Sequence, residues 1–98
     1  MTENSVQLFF KLCSDRLSIE AIPKTKLRVN LSKLKVGLGD FAVTIWTPHF
    51  MVMRSRDGEE VTLRRDGRMI VRNSGSQAAA EAVAVRVLAL VSSLSDQS

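Results

Sequence analysis

The chain predicts an α+β two-layer sandwich: an antiparallel meander sheet of about five strands, with an N-terminal and a C-terminal helix packed on one face. Three observations predict it. Residues 41–72 contain four short runs in which apolar and polar residues alternate. Thr47-Pro48-His49, Asp57-Gly58 and Asp66-Gly67 fall between those runs and are turn sequences. An Ala/Val-rich stretch without Gly or Pro follows directly, and a helix after a meander covers one face of the sheet.

The first element reads as a helix. Val6, Phe9, Phe10, Cys13 and Leu17 recur at i, i+3, i+4, i+7 and i+11, the spacing of one buried helical face. Lys11, Asp15 and Arg16 take the other side, and Asn4 or Ser5 supplies the N-cap. The helix ends by Ile22, because Pro23 disfavours helical geometry in the residue before it. An earlier end near Ser14 leaves residues 17–22 irregular or extended.

Residues 24–38 carry two alternations. Leu27, Val29 and Leu31 alternate with Lys26, Arg28 and Asn30; Leu34, Val36 and Leu38 alternate with Lys33, Lys35 and Gly37. The phase shifts across Ser32-Lys33, which suits either one bulged strand or a turn between two strands. Gly37 and Gly39 then turn the chain before Phe41.

The later elements are sharper. Strands are expected at 41–46, 50–54, 60–64 and 68–72. Residues 73–76 end the sheet. Ser74 with Gln77 has capping-box spacing, and Ser76 is an alternative N-cap for a helix over 77–94. The whole is one domain, 1–98, with 1–4 and 95–98 as frayed tails.

Composition excludes several classes. Apolar residues make up 45% of the chain, too many for a disordered protein. No apolar run reaches the ~18–20 residues of a membrane span, and Met1-Thr2-Glu3-Asn4 is not a basic leader. Cys13 is the single cysteine, so no intrachain disulfide forms and a reducing compartment is expected. A cytoplasmic location follows as the expectation, with no membrane partner. Fourteen Lys and Arg against ten Asp and Glu leave a net charge of +4, compatible with a nucleic-acid partner without requiring one.

Catalytic groups are sparse. His49 sits in a turn without a second His or Cys nearby, a poor metal site. Cys13, on the apolar stripe, reads as a buried structural thiol. Gly37-Leu38-Gly39 lacks the third Gly and the Lys-Ser/Thr pair of a phosphate loop. Asp57 and Asp66 are hairpin-turn residues. The expectation is a non-enzyme with no cofactor and no metal.

Two surfaces remain. The last helix carries only Glu81 and Arg86 as charges between 77 and 94. Val83, Val87, Leu90, Val91 and Leu94 form its core stripe with Ala80 and Ala84 alongside, while Val85, Leu88 and Ala89 fall outside or at its edge. Either the N-terminal helix covers the flank at Leu88 and leaves scattered small apolar groups exposed, or the three form an interface for a protein partner or homodimer. The second surface is the open sheet face. With Val61, Leu63, Met69 and Val71 inward, Thr62, Arg64, Arg68, Ile70 and Arg72 point outward. Arg64, Arg68 and Arg72 then form one patch able to meet phosphates, with Lys26 and Arg28 as a second basic cluster. The alternative is an ordinary solvated face paired with Glu59, Glu60 and Asp66, and lysines that guard an edge strand. Thr44 with Trp46, or else Phe41, Val43 and Ile45, share the open face. Met51 and Met53 against Phe50 and Val52 are likewise undecided.

The run Asp66-Gly67-Arg68-Met69-Ile70-Val71-Arg72, followed by a polar turn and an Ala-rich helix, resembles the close of one half-repeat of the TATA-box-binding-protein fold. A similar strand and helix close some adenylyltransferases of thiamine and cofactor biosynthesis. The whole chain resembles an archaeal family of small two-layer α/β sandwich proteins. The first resemblance covers residues 41–94. It implies a sheet face that holds DNA in a saddle of two half-repeats, so a single half-repeat would dimerise to build one. Paired Phe wedges of that family find no match in this chain, and no functional residue is carried over.

The expected function is therefore a small interaction module, acting through the apolar C-terminal helix as a homodimer or on a protein partner. The alternatives are a nucleic-acid-binding module using the Arg-bearing sheet face, and an accessory subunit of an enzyme on another chain.

Overall fold

A computed structural model describes residues 8–12, 18–24 and 28–95. The elements are β1 (Leu8–Leu12), β2 (Ser18–Pro23), a 3-10 turn (Leu31–Leu34), β3 (Ala42–Trp46), β4 (Phe50–Arg54), β5 (Glu60–Arg64), β6 (Met69–Arg72) and α1 (Gln77–Ser95). The six strands form one antiparallel sheet in the order β1-β2-β6-β5-β4-β3. An N-terminal hairpin is thus added to the far side of the β3–β6 meander.

The three turns that punctuate the meander are built by their own side chains. Thr47 Oγ1 accepts from the amides of His49 and Phe50 at 3.1 and 3.0 Å. Ser55 Oγ accepts the Glu59 amide at 3.1 Å and closes the Asp57-Gly58 hairpin. Asp66 Oδ1 accepts the Arg68 amide at 3.0 Å in the next. Each replaces a ladder bond that the reversing chain loses. Ser76 caps α1, its hydroxyl accepting the Ala79 amide at 3.1 Å.

The N-terminal helix is overturned where the structure describes it. Leu8–Leu12 is a strand, paired along its length with β2. The helical spacing was a coincidence of two parities: Phe10 lies on the covered face opposite Ala21, while Phe9 points to the open face and is 58% exposed. Val6, Cys13 and Leu17 lie outside the described residues.

Residues 28–38 are neither one strand nor two. Leu31, Leu34 and Leu38 are buried and Val36 is 95% exposed. The buried spacing is three and four, so the segment folds on a helical period and contains the 3-10 turn. Asn30 caps that turn by accepting the Ser32 amide at 3.1 Å.

Two covers share the inner face of the sheet. Helix α1 packs on β2 and β6, through Ala80, Val83, Ala84, Val87, Leu88 and Val91. Segment 28–41 brings Val29, Leu31, Leu34, Leu38 and Phe41 into the same core, which includes Met51, Met53, Val61 and Leu63 of β4 and β5. The helix alone is too narrow for a six-stranded sheet, and the segment supplies the missing cover.

Candidate functional site

The candidate surface is the face of the sheet opposite α1. Its content follows from the register. Inward positions are Ile19, Ala21, Met51, Met53, Val61, Leu63, Met69 and Val71, all buried. Their neighbours along each strand face the other way.

Three cross-strand rows result. The middle row runs Lys11–Glu20–Ile70–Thr62–Val52–Ile45, every neighbour a register pair. One flanking row is Arg72–Glu60–Arg54–Ala42. The other runs Phe9–Ile22–Arg68–Arg64–Phe50. Phe9 pairs with Ile22 and Arg64 with Phe50. The Arg64 amide donates to the Arg68 carbonyl at 2.9 Å. Continuing the Ala21–Met69 register by one residue sets Ile22 beside Arg68.

The expected arginine patch is therefore divided. Arg64 and Arg68 are cross-strand neighbours at one end. Arg72 stands opposite Glu60, four residues along from the Arg68 end, or ~13 Å at strand rise. Asp66 lies 3.6 Å from Arg64 and 3.7 Å from Arg68. Both pairs are exposed, so they contribute little and leave the guanidiniums available. Lys26 lies outside the described residues. Arg28 is exposed on segment 28–34, on the covered side of the sheet rather than on this face.

Neither alternative for β3 holds whole. The pairing with β4 slips between Val43 and Ile45, a bulge at Thr44 that breaks the alternation. Val43 and Trp46 pack on the core, Phe41 is buried, and Thr44 and Ile45 are exposed. Thr44 Oγ1 donates to the Val52 carbonyl at 3.2 Å. Met51 and Met53 face inward, which turns Phe50 and Val52 outward.

Leu88 is a correction as well. It is 6% exposed and belongs to the core, because α1 lies over β2 and needs a wider buried stripe than two ridges provide. Val85 and Ala89 stay exposed with Ala82.

Sequence reasoning missed Phe9 and Arg54 as open-face residues and left Ile45 and Phe50 undecided between the two faces. Phe9 was hidden by a misread period. Phe50 was legible only through the parity of β5, carried across the hairpin to Arg64.

Among the described residues no three His, Cys, Asp or Glu side chains gather as metal ligands, and no helix is long and apolar enough to cross a membrane. No protein-family model, curated protein or solved structure matches the chain.

Proposed function

We infer that this chain is a binding module whose open sheet face receives single-stranded nucleic acid. The row Phe9–Ile22–Arg68–Arg64–Phe50 carries the reading. It places an exposed aromatic at each end and two guanidiniums between them. The ends are four strand spacings apart, ~19 Å. A flexible strand that stacks a base at each Phe must cross both arginines, where its phosphates find bidentate partners. Lys11, Arg54 and Arg72 extend the positive field, against Glu20, Glu60 and Asp66. Lys24 adds charge at one end, its Nζ 4.7 Å from the Phe9 ring centroid. In the middle of the face Ile45 is 52% exposed and Ile70 half-buried, with Val52 buried between its neighbours, so the apolar contact open to a base is Ile45 first and Ile70 second.

Salt-dependent anisotropy of labelled RNA and DNA oligonucleotides tests this. Neutralising two to four phosphates gives a slope of about −1.4 to −2.8 in log affinity against log salt, at ~0.7 per phosphate for single strands. Absence of binding at ~50 mM salt, where screening is weak, rules it out. Association through α1 is the second reading, carried by the exposed Val85, which is 54% exposed. It predicts a dimer that persists at high salt and ignores oligonucleotide.

A further inference from the structure

The side of the sheet away from that face holds a separate cleft. Residues 28–34, the β3–β4 turn, Arg65 and Val91 line an open cleft of about 550 Å³, within the ~300–1,000 Å³ of small-molecule sites. Leu31, Leu34 and Val91 form an apolar floor and are buried in the core. Trp46 and Pro48 form a wall. Trp46 has spent its one donor, Nε1, on the Leu31 carbonyl at 2.9 Å, so it offers the cleft ring surface and nothing else. Lys35 holds its Nζ 4.2 Å from the indole centroid and is not part of the cleft wall.

The polar rim has one sign. Arg28, Lys33 and Arg65 line the cleft and are exposed. No described lining residue is acidic, and none of the three forms an ion pair among the described residues. The segments that carry them are tied: the Val29 amide, next to Arg28, donates to the Arg65 carbonyl at 2.8 Å, and the Lys33 amide donates to the Asn30 carbonyl at 3.2 Å. The cations are thus carried on segments already fixed against one another, which lowers the ordering cost of binding.

We propose that this cleft binds an organic phosphate carrying a planar ring, the chemistry of a nucleoside monophosphate. A phosphoryl group, with about −1.5 to −2 charges and three acceptor oxygens, suits a rim that carries only positive charge better than a carboxylate does. The ring lies against Trp46 and Pro48 over the Leu31 floor, where stacking and apolar burial hold it. The site shares no residue with the row Phe9–Ile22–Arg68–Arg64–Phe50, so the two surfaces stand or fall separately.

Trp46 is the only tryptophan and reports directly on the cleft. The intact chain is titrated with AMP, GMP and UMP, and in separate arms with adenosine and inorganic phosphate, by Trp46 emission and by calorimetry. The expected result is saturable binding of at least one monophosphate, with adenosine and phosphate each weaker by about tenfold or more. A triple Arg28→Ala, Lys33→Ala, Arg65→Ala variant weakens that binding by about tenfold or more. No saturable response to any monophosphate in either readout overturns the proposal. So does a folded triple variant, verified by circular dichroism, that binds within about twofold of the parent.

Discussion

Trp46 donates its indole N–H to the Leu31 carbonyl at 2.9 Å, across fifteen residues of chain. The bond fastens segment 28–41 to β3, which has no further strand beside it among the described residues. It also explains why the single tryptophan faces the covered side and not the open face. A buried indole needs a partner for its donor, and the bulge at Thr44 turns Trp46 toward the carbonyl that supplies one.

Trp46→Phe keeps the ring and removes the donor, stranding a part-buried carbonyl. Such a loss costs ~1–3 kcal/mol. Urea unfolding followed by far-ultraviolet circular dichroism should show the midpoint falling with an unchanged slope. The Val29 amide, bonded to Arg65 in the same segment, should also exchange faster. An unchanged midpoint would mean the segment is held by its leucines alone.

Leu34 and Val36 separate the two accounts of that segment. Leu34 is 1% exposed and Val36 is 95% exposed. Leu34→Ala should cost ~2–5 kcal/mol through lost burial and a cavity. Val36→Lys should stay within ~0.5 kcal/mol, as surface changes do. If the segment alternated as a strand, both side chains would share one face and both substitutions would be costly.

The meander and α1 were legible because their signals are local. Asp-Gly turns set the hairpins, and inward Val61, Leu63, Met69 and Val71 set the parity. The N-terminal hairpin was not legible. Its partner β6 is distant in sequence, with Ser18 set opposite Arg72, and the adjacent pair Phe9 and Phe10 fits a helical stripe as readily as the two faces of a strand. Segment 28–41 misled for a related reason: alternating lysines imitate a strand, while the buried positions follow packing against β3–β5 that no local pattern encodes. On the candidate site, the outward set Arg64, Arg68 and Arg72 was readable from parity. Its division was not, because that depends on register: Glu60 opposite Arg72 and Phe50 opposite Arg64.

Gly37 and Gly58 make a paired test of turn geometry. Both have positive φ, 118° and 90°. A Cβ at Gly37 would stand 2.9 Å from the Phe41 carbonyl oxygen, which belongs to backbone and cannot swing away, whereas a Cβ at Gly58 meets nothing within 4 Å. Gly58→Ala should cost only the conformational strain, ~1–2 kcal/mol. Gly37→Ala should cost visibly more, because the Leu38–Phe41 bridge that leads into β3 must open. Thermal midpoints compared under one set of conditions measure the difference, and equal losses would remove the clash from the explanation.

Phe9 and Phe50 test whether the open face binds through rings or only through charge. Phe9 is 58% exposed, so its truncation to Ala should shift stability by less than ~1 kcal/mol; Phe50 is 37% exposed, so its truncation should cost more through lost burial. Base stacking on an aromatic contributes ~1–3 kcal/mol per base. Phe9→Ala and Phe50→Ala should then each weaken oligonucleotide binding by about five- to a hundredfold while leaving its salt slope intact. Arg64→Ala and Arg68→Ala should act on the electrostatic part and flatten the slope by about 0.7 for each phosphate left without its guanidinium. The two kinds of variant thus dissect one row of the sheet into its stacking ends and its charged middle. If the Phe variants bind as the parent does while the Arg variants do not, the face is a charged surface without a base-stacking role. Ile45→Asp then decides the matter independently, because a new carboxylate at the end of the Ile70–Thr62–Val52–Ile45 row repels a strand laid across the apolar middle and leaves untouched one that meets only Arg64 and Arg68.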